Sequence, residues 1–494
     1  MASEIRVNKI ENRSGLGTVT FADTGVDLAG IVTATTFSGS GASLTGLPAA
    51  SLTGTVADAR FPATLPAVSA ASLTNVPAAN VVGVHTSLTV TNATTTGTAI
   101  VGGGVTISES GIEASGIGIT VANINGQQVS GRRRLNINGG FQVFQRSTSA
   151  SDIGGSEGYF APDRYSQHGT GSMRYTASQS TDVPSGFGFS NSLKYDCTTA
   201  SGTVSAGHFV AIEHRMEGQD LQVFCKGTAQ AKQYTLSFHV KSPKAGIHWI
   251  ELYDNDNDRH VCKSYTISSA DTWQQVSLTF PGDTTGAFGN DNGSSLRIFF
   301  WLMAGTTYTG GGTPPSTWAA FTANKRATGQ VNVFDDTSNN FYITGIQLEV
   351  GSQATAFEHL SVGEELALCQ RYFYRHGDLS GTRNYALMGV GIIGHNGSTD
   401  AGKIQISAPV RMRTQPTATA IPSGAEFIVG TGGGDEGTSD MYSNSAPALW
   451  TAASSDINFW VDFNRSSGGS PDRGIACIVH ANNNGANIGF DAEL

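Results

Sequence analysis

The chain has 494 residues, 14% of them charged, with 62 glycines and a formal net charge of −10. At about 150 residues per domain this length suggests roughly three domains. Low charge with abundant Gly, Ser, Thr and Asn points to turn-rich β structure and away from amphipathic helices. An acidic balance argues against a nucleic-acid partner, whose affinity comes from Lys and Arg on phosphates; Arg132-Arg133-Arg134 reads as a solvated linker or a contact for an acidic partner. The cysteines, Cys197, Cys225, Cys262, Cys369 and Cys477, are odd in number, widely spaced and without a CxxC. They form neither a disulfide framework nor a zinc site, and are expected to be buried small hydrophobes of a chain folded in a reducing cytosol. No apolar N-terminal run marks a signal peptide. No segment approaches the roughly 20 apolar residues of a membrane span, so no membrane insertion is expected.

Residues 1–24 alternate polar and apolar positions but hold no core of their own, and are expected to lean on another body. Residues 25–83 are nearly uncharged and repeat a word: Ala42-Ser43-Leu44-Thr45-Gly46, Ala50-Ser51-Leu52-Thr53-Gly54 and Ala71-Ser72-Leu73-Thr74-Asn75. Disordered chains are usually charged, whereas recurrent Leu and Val need neighbours to bury them. The units are too few and too irregular for a one-chain solenoid. The preferred reading over a flexible linker is an intertwined oligomer, with Leu44, Leu47, Leu52, Val56, Leu73 and Val76 meeting on a shared axis. Residues 84–133 continue as a β-rich shaft or collar: Val105, Ile107, Ile112, Ile117, Ile119 and Val121 alternate between glycine turns.

From Arg134 aromatics become frequent. Tyr234, Leu236, Phe238 and Val240 share one strand face, and Thr235, Ser237 and His239 the other. Val276, Leu278 and Phe280 repeat the pattern. Turn signals stand at Asp254-Asn255-Asp256-Asn257-Asp258, Pro281-Gly282-Asp283 and Asn292-Gly293. Many strands so spaced predict a jelly roll or β-sandwich over 134–362. Residues 363–376 hold a short helix with a strand-like second half. They open a second β-sandwich over 363–494. The predicted fold class is all-β: a fibrous, intertwined shaft, which the resemblance below implies is trimeric, followed by jelly-roll or β-sandwich domains.

Asn136-Ile137-Asn138-Gly139-Gly140-Phe141, Ala161-Pro162-Asp163-Arg164-Tyr165, Gly345-Ile346-Gln347-Leu348-Glu349-Val350-Gly351, Ala354-Thr355-Ala356-Phe357-Glu358, Glu364-Glu365-Leu366 and Cys369-Gln370-Arg371-Tyr372-Phe373 follow one another in this order. The series resembles the jelly-roll module of bacteriophage tail fibres and related receptor-binding proteins. Val7-Asn8-Lys9-Ile10-Glu11-Asn12-Arg13 resembles the start of fibres from phages of marine cyanobacteria, and residues 37–46 their shaft. The match covers about 1–50 and 134–375 well. It is compositional from 50 to 130, and over the last 120 residues it rests on 408–417 alone. The resemblance implies a homotrimer in the virion tail, assembled in the host cytoplasm. Its N-terminus would meet a tail, adaptor or nozzle protein, and its distal sandwich a host polysaccharide or lipopolysaccharide. No cofactor is implied. Two rivals stay open: a polysaccharide depolymerase and a structural connector without receptor contact.

A depolymerase would need two carboxylates roughly 5–9.5 Å apart. Asp435-Glu436 and the Asp254–Asp258 run supply carboxylates but read as solvated turns, and neither a Gly-x-Ser-x-Gly nor a His-Glu-x-x-His motif occurs. Gly430-Thr431-Gly432-Gly433-Gly434 precedes acids where a phosphate loop wants Lys, and reads as a flexible turn. Asp254, Asp256 and Asp258 begin like a calcium loop. Arg259 and Tyr265 stand where such a loop needs Gly and Glu, which leaves a hairpin turn or a loosely held Ca²⁺. For glycan binding, alternation offers two faces of aromatics beside polar groups: Trp249, Glu251 and Tyr253, and Asn458, Trp460 and Asp462. The preferred reading of both faces is packing against another domain or subunit, which trimers need. Trp273 and Trp301 are expected in the core.

Overall fold

The computed structural model describes residues 132–377, 386–396, 399–430, 441–443, 447–468, 473–482 and 486–494, with 9–11, 18–23, 25–28 and isolated positions before 46. The six shaft positions from Leu44 to Val76 lie outside the described residues, as do 84–131 and the Asp435-Glu436 pair. Contacts divide the chain into Met1–Ile112 and Glu113–Leu494. In the first unit Lys9–Glu11, Thr18–Ala22 and Gly25–Leu28 form an antiparallel meander.

The second unit begins with a sandwich of two six-stranded sheets. One sheet runs, in spatial order, Ala319–Ala320, Arg259–Ile267, Gly246–Asp254, Ser294–Ala304, Phe209–Glu217 and Tyr165–Thr170. The other runs Gln274–Phe280, Tyr234–Lys241, Asn340–Val350, Ser192–Thr199, Arg174–Ser180 and Ser149–Ile153. Alternation drives the packing: Leu236, Phe238 and Val240 are buried in the same core as Ile250, Leu252, Ile298 and Phe300. The rings of Phe238 and Phe300 meet edge-on with centroids 5.4 Å apart. Each such side chain contributes about 1.5–3 kcal/mol by leaving water. Trp301 is fully buried, but Trp273 is not a core residue. It is half-exposed and donates from Nε1 to Asp182 at 2.9 Å. All five cysteines are free, and Cys225 departs from the expected burial. It sits half-buried at a left-handed position, φ 51°, ending a 3₁₀ turn.

The distal sandwich pairs a three-stranded sheet (Phe373–Gly377, Asn487–Asp491, Thr417–Ile421) with an eight-stranded one. The larger sheet runs Ala448–Leu449, Asn458–Asn464, Thr399–Ser407, Leu387–Asn396, Ala476–Ala481, Phe427–Gly430, Met441–Ser443 and Ser467–Gly468. Phe459, Val461 and Phe463 fill its core, where Phe459 meets Phe490 at 4.5 Å.

Between the sandwiches lies the helix Val362–Gln370, started by a capping box of Ser361 and Glu364. Glu365 enters the protein from this helix and pairs with the buried Arg134, while its Oε1 accepts from the Asn138 amide at 2.6 Å. Asn138 holds φ 57°. Its Nδ2 donates to the carbonyls of Val143 and Asp163, and its Oδ1 accepts from the Gln142 and Val143 amides. Asn136 bridges the Ile346 carbonyl and the Leu348 amide at 2.8 Å each. A Cβ on Gly139 would stand 2.0 Å from the Ile346 oxygen, so the approach requires glycine. Removing one partner of a buried ion pair leaves an uncompensated charge, at a cost of about 3–5 kcal/mol. Glu365→Ala should therefore lower the unfolding free energy by about that much in denaturant titration. A change under about 1 kcal/mol would contradict the role assigned to this pair.

Candidate functional site

The strand Gly246–Asp254 does place Trp249, Glu251 and Tyr253 on one face, opposite Ile250 and Leu252. Residues 305–330 fold back over that face. Trp249 Nε1 donates to the Thr328 carbonyl at 2.8 Å, and Tyr253 donates to Asp258 at 2.9 Å. Glu251 is fully buried, and its oxygens accept from Arg326 Nε at 2.8 and 3.0 Å. Burial pushes the Glu251 carboxyl up, but Arg326 and His260 outweigh it and hold the group below the usual range. The Arg326 guanidinium lies 4.7 Å from the Trp301 ring centroid and 5.2 Å from that of Phe321. Of the trio expected to meet a glycan, Glu251 is spent on an internal cation, while Trp249 and Tyr253 are half-buried.

The Asp254 run joins two strands as a hairpin. Asp254 takes Lys226 Nζ at 2.5 Å, Asp256 accepts from the Gly289 amide and Asp258 from Tyr253. The three carboxylates serve three different partners and share no cation position. Two other clusters of ligand-type groups occur among the described residues, Glu251–His260–Cys262 and Glu157–His168–Glu213. Arg326 already supplies the positive charge in the first, and Arg215 and Arg297 in the second.

The second expected face lies on the eight-stranded sheet. Trp460 and Asn458 stand on the side of Asn458–Asn464 opposite the core, and Trp460 pairs in register with Gln405. Both Asp462 oxygens accept from Lys403 Nζ at 2.8 Å, and Asn458 accepts from Ser407 at 2.7 Å. Beside them is Trp450, 50% exposed, with Lys403 Nζ 5.4 Å from its ring. Trp450 follows an irregular Ser- and Ala-rich stretch, so no periodicity marks it. Its signal is a lone tryptophan in a turn-rich sequence. The neighbouring strand changes character: Val390 is 68% and Ile392 47% exposed, and Ile392 pairs in register with Lys403. The outer face therefore has an aromatic-polar edge and an apolar centre.

A third surface escaped the sequence reading. A cleft of about 490 Å³ on the proximal sandwich is lined by Phe187, Ser237, His239, Gln275, Phe357 and His359 among others. The signal was the glycine-flanked pair Gly186-Phe187-Gly188-Phe189.

No protein-family model matches this chain, and no curated protein does. Solved structures similar to part of it include the enzymatically active domain of bacteriophage CBA120 tailspike protein 4, at 12% identity and TM-score 0.24, over 44% of this chain and 21% of that one. They also include the family 11 carbohydrate-binding module of the Clostridium thermocellum cellulase Lic26A-Cel5E, at 12% identity and TM-score 0.21, over 42% of this chain and 97% of that one. A third is a putative sugar binding protein from Bacteroides thetaiotaomicron, at 12% identity and TM-score 0.23, over 44% and 100%. The match spans about a fifth of the tailspike domain's length. Likeness at this level carries no argument about activity.

Buried histidines set the pH response. Burial pushes His239 and His248 down to about 4, and lowers His168, His214 and His376. The unfolded chain binds protons below about 6.5 that these folded groups refuse, so stability is lost as pH falls. Asp163, pushed up to about 6 by burial, and Asp220, raised by burial, act in the opposite sense. Histidines outnumber the opposing aspartates. The unfolding free energy should therefore fall between pH 6.5 and 4, by up to about 1.4 kcal/mol per pH unit for each net proton. Stability that stays flat or rises over this window would contradict the assignment.

Proposed function

We propose that the chain is a homotrimeric tail fibre of a phage infecting marine cyanobacteria. Its N-terminus attaches to a tail, adaptor or nozzle protein, and its distal sandwich adheres to a host-envelope polysaccharide or lipopolysaccharide without cleaving it. The observation carrying the adhesive reading is the aromatic-polar edge of the eight-stranded sheet. Trp450 offers an exposed ring face to sugar C–H groups, with Trp460 beside it. Gln405 and Asn458 offer hydrogen bonds alongside, whereas Asp462, expected on this outer face, is 4% exposed and turned to Lys403. Asp462 has its charge matched by Lys403, which fits a binding role better than proton transfer to a glycosidic oxygen. The exposed Val390 and Ile392 next to this edge support a surface for a second copy of the chain. Three copies of a weak site raise avidity by about 10²–10⁴ when all can engage together.

Trp450→Ala and Trp460→Ala are expected to weaken adsorption of the intact protein to host cells by at least about tenfold, with little change in melting temperature. Adsorption equal to that of the parent would remove the receptor role from this edge. Release of reducing ends from envelope polysaccharide would convert the reading to a depolymerase. The mass in solution should be three times the 51.5 kDa of one chain. A monomer in light scattering would contradict the trimer.

A further inference from the structure

The cleft on the proximal sandwich has a feature that internal packing does not explain. His239, on the strand Tyr234–Lys241, is 4% exposed, and neither of its ring nitrogens has a hydrogen-bond partner. A buried polar atom without a partner carries a desolvation cost that a bound hydroxyl or amide would remove. The imidazole is covered by Phe187, whose centroid lies 4.4 Å away and whose ring is 48% exposed. Phe187 stands between Gly186 at φ +84° and Gly188 at φ +77°. No neighbouring atom lies within 4 Å of a Cβ placed on Gly186. The ring is thus carried on a glycine-flanked turn, whose Phe187 carbonyl lies 3.0 Å from His359 Nε2.

The lining of this cleft selects a ligand class. None of the described residues that line it is Asp, Glu, Lys or Arg. A phosphate, sulfate or uronate would find no counter-charge. A wholly apolar ligand would leave the His239 nitrogens unpaired. We propose that this cleft is a second binding site, one that takes a neutral sugar ring. Phe187 stacks on the C–H face of the sugar, and His239, once uncovered, bonds its hydroxyls. Ser237, Gln275 and His359 line the remaining walls. With no carboxylate in the lining, the site holds its ligand without cleaving it. It shares no residue with the Trp450–Trp460 edge, so either site can fail while the other stands.

The test is saturation-transfer NMR on the intact protein with methyl α-D-glucoside, galactoside and mannoside, and with methyl glucuronide and glucose 6-phosphate as charged controls. At least one neutral glycoside should receive saturation at its ring C–H protons. Phe187→Ala and His239→Phe should each weaken that binding at least tenfold, whereas Trp460→Ala should leave it unchanged. Should His239→Phe fail to fold, Phe187→Ala, at an exposed position, decides the matter. Absence of transfer to all three neutral glycosides overturns the proposal. So does an undiminished signal in Phe187→Ala, or a preference for either charged control.

Discussion

The buried ion pair between Arg134 and Glu365 is the constraint on which the rest of the second unit depends. Around it the chain closes on itself: residues 134–146 enter the proximal sandwich, 343–358 complete its second sheet, and the helix Val362–Gln370 leaves it. The same junction continues into the distal sandwich. Arg164 stacks 3.4 Å over Tyr372 and pairs with Glu493, and Arg146 pairs with Asp491 and Glu493. Gln145 donates to the Phe373 carbonyl at 2.6 Å, and Arg215 donates to the Leu494 oxygen at 2.5 Å. Buried pairs of this kind add little net stability over apolar packing, but breaking one side is costly. Their effect is to fix how the distal sheet is carried.

This explains what the recognisable words of the sequence encode. Asn136, Asn138, Gly139, Asp163, Arg164, Gln347, Glu349, Glu358, Glu365 and Arg371 each bond or pack within the junction or its walls. Glu358 accepts from the amides of Arg133 and Arg134, Thr355 donates to Glu349, and Arg371 grips Glu217 through two bonds of 2.7 Å. The motifs that carry the resemblance to tail fibres are therefore structural. Phe357, which belongs to one of these words, also lines the proximal cleft.

Strand alternation made much of the fold legible. Tyr234 to Val240 and Phe459 to Phe463 bury the residues their period assigns. It left Glu251 on an outward face where it is in fact fully buried, because period two identifies the non-core face of a strand but not what covers it. The covering segment, 305–330, returns from more than fifty positions away with Arg326 as its anchor. Trp450 and the Phe187–His239 cleft were hidden for a related reason. Their partners come together through loops, where neighbourhood in sequence says nothing about neighbourhood in space.

The central claim is that the host surface is met by one edge of the distal sheet. Hydrogen exchange on the intact protein, with and without purified host envelope polysaccharide, addresses it most directly. Within the eight-stranded sheet the account predicts slowed exchange at the amides of residues 450–464 and their partners in Thr399–Ser407. Slowing confined to Leu387–Asn396, or none anywhere on the eight-stranded sheet, would contradict it.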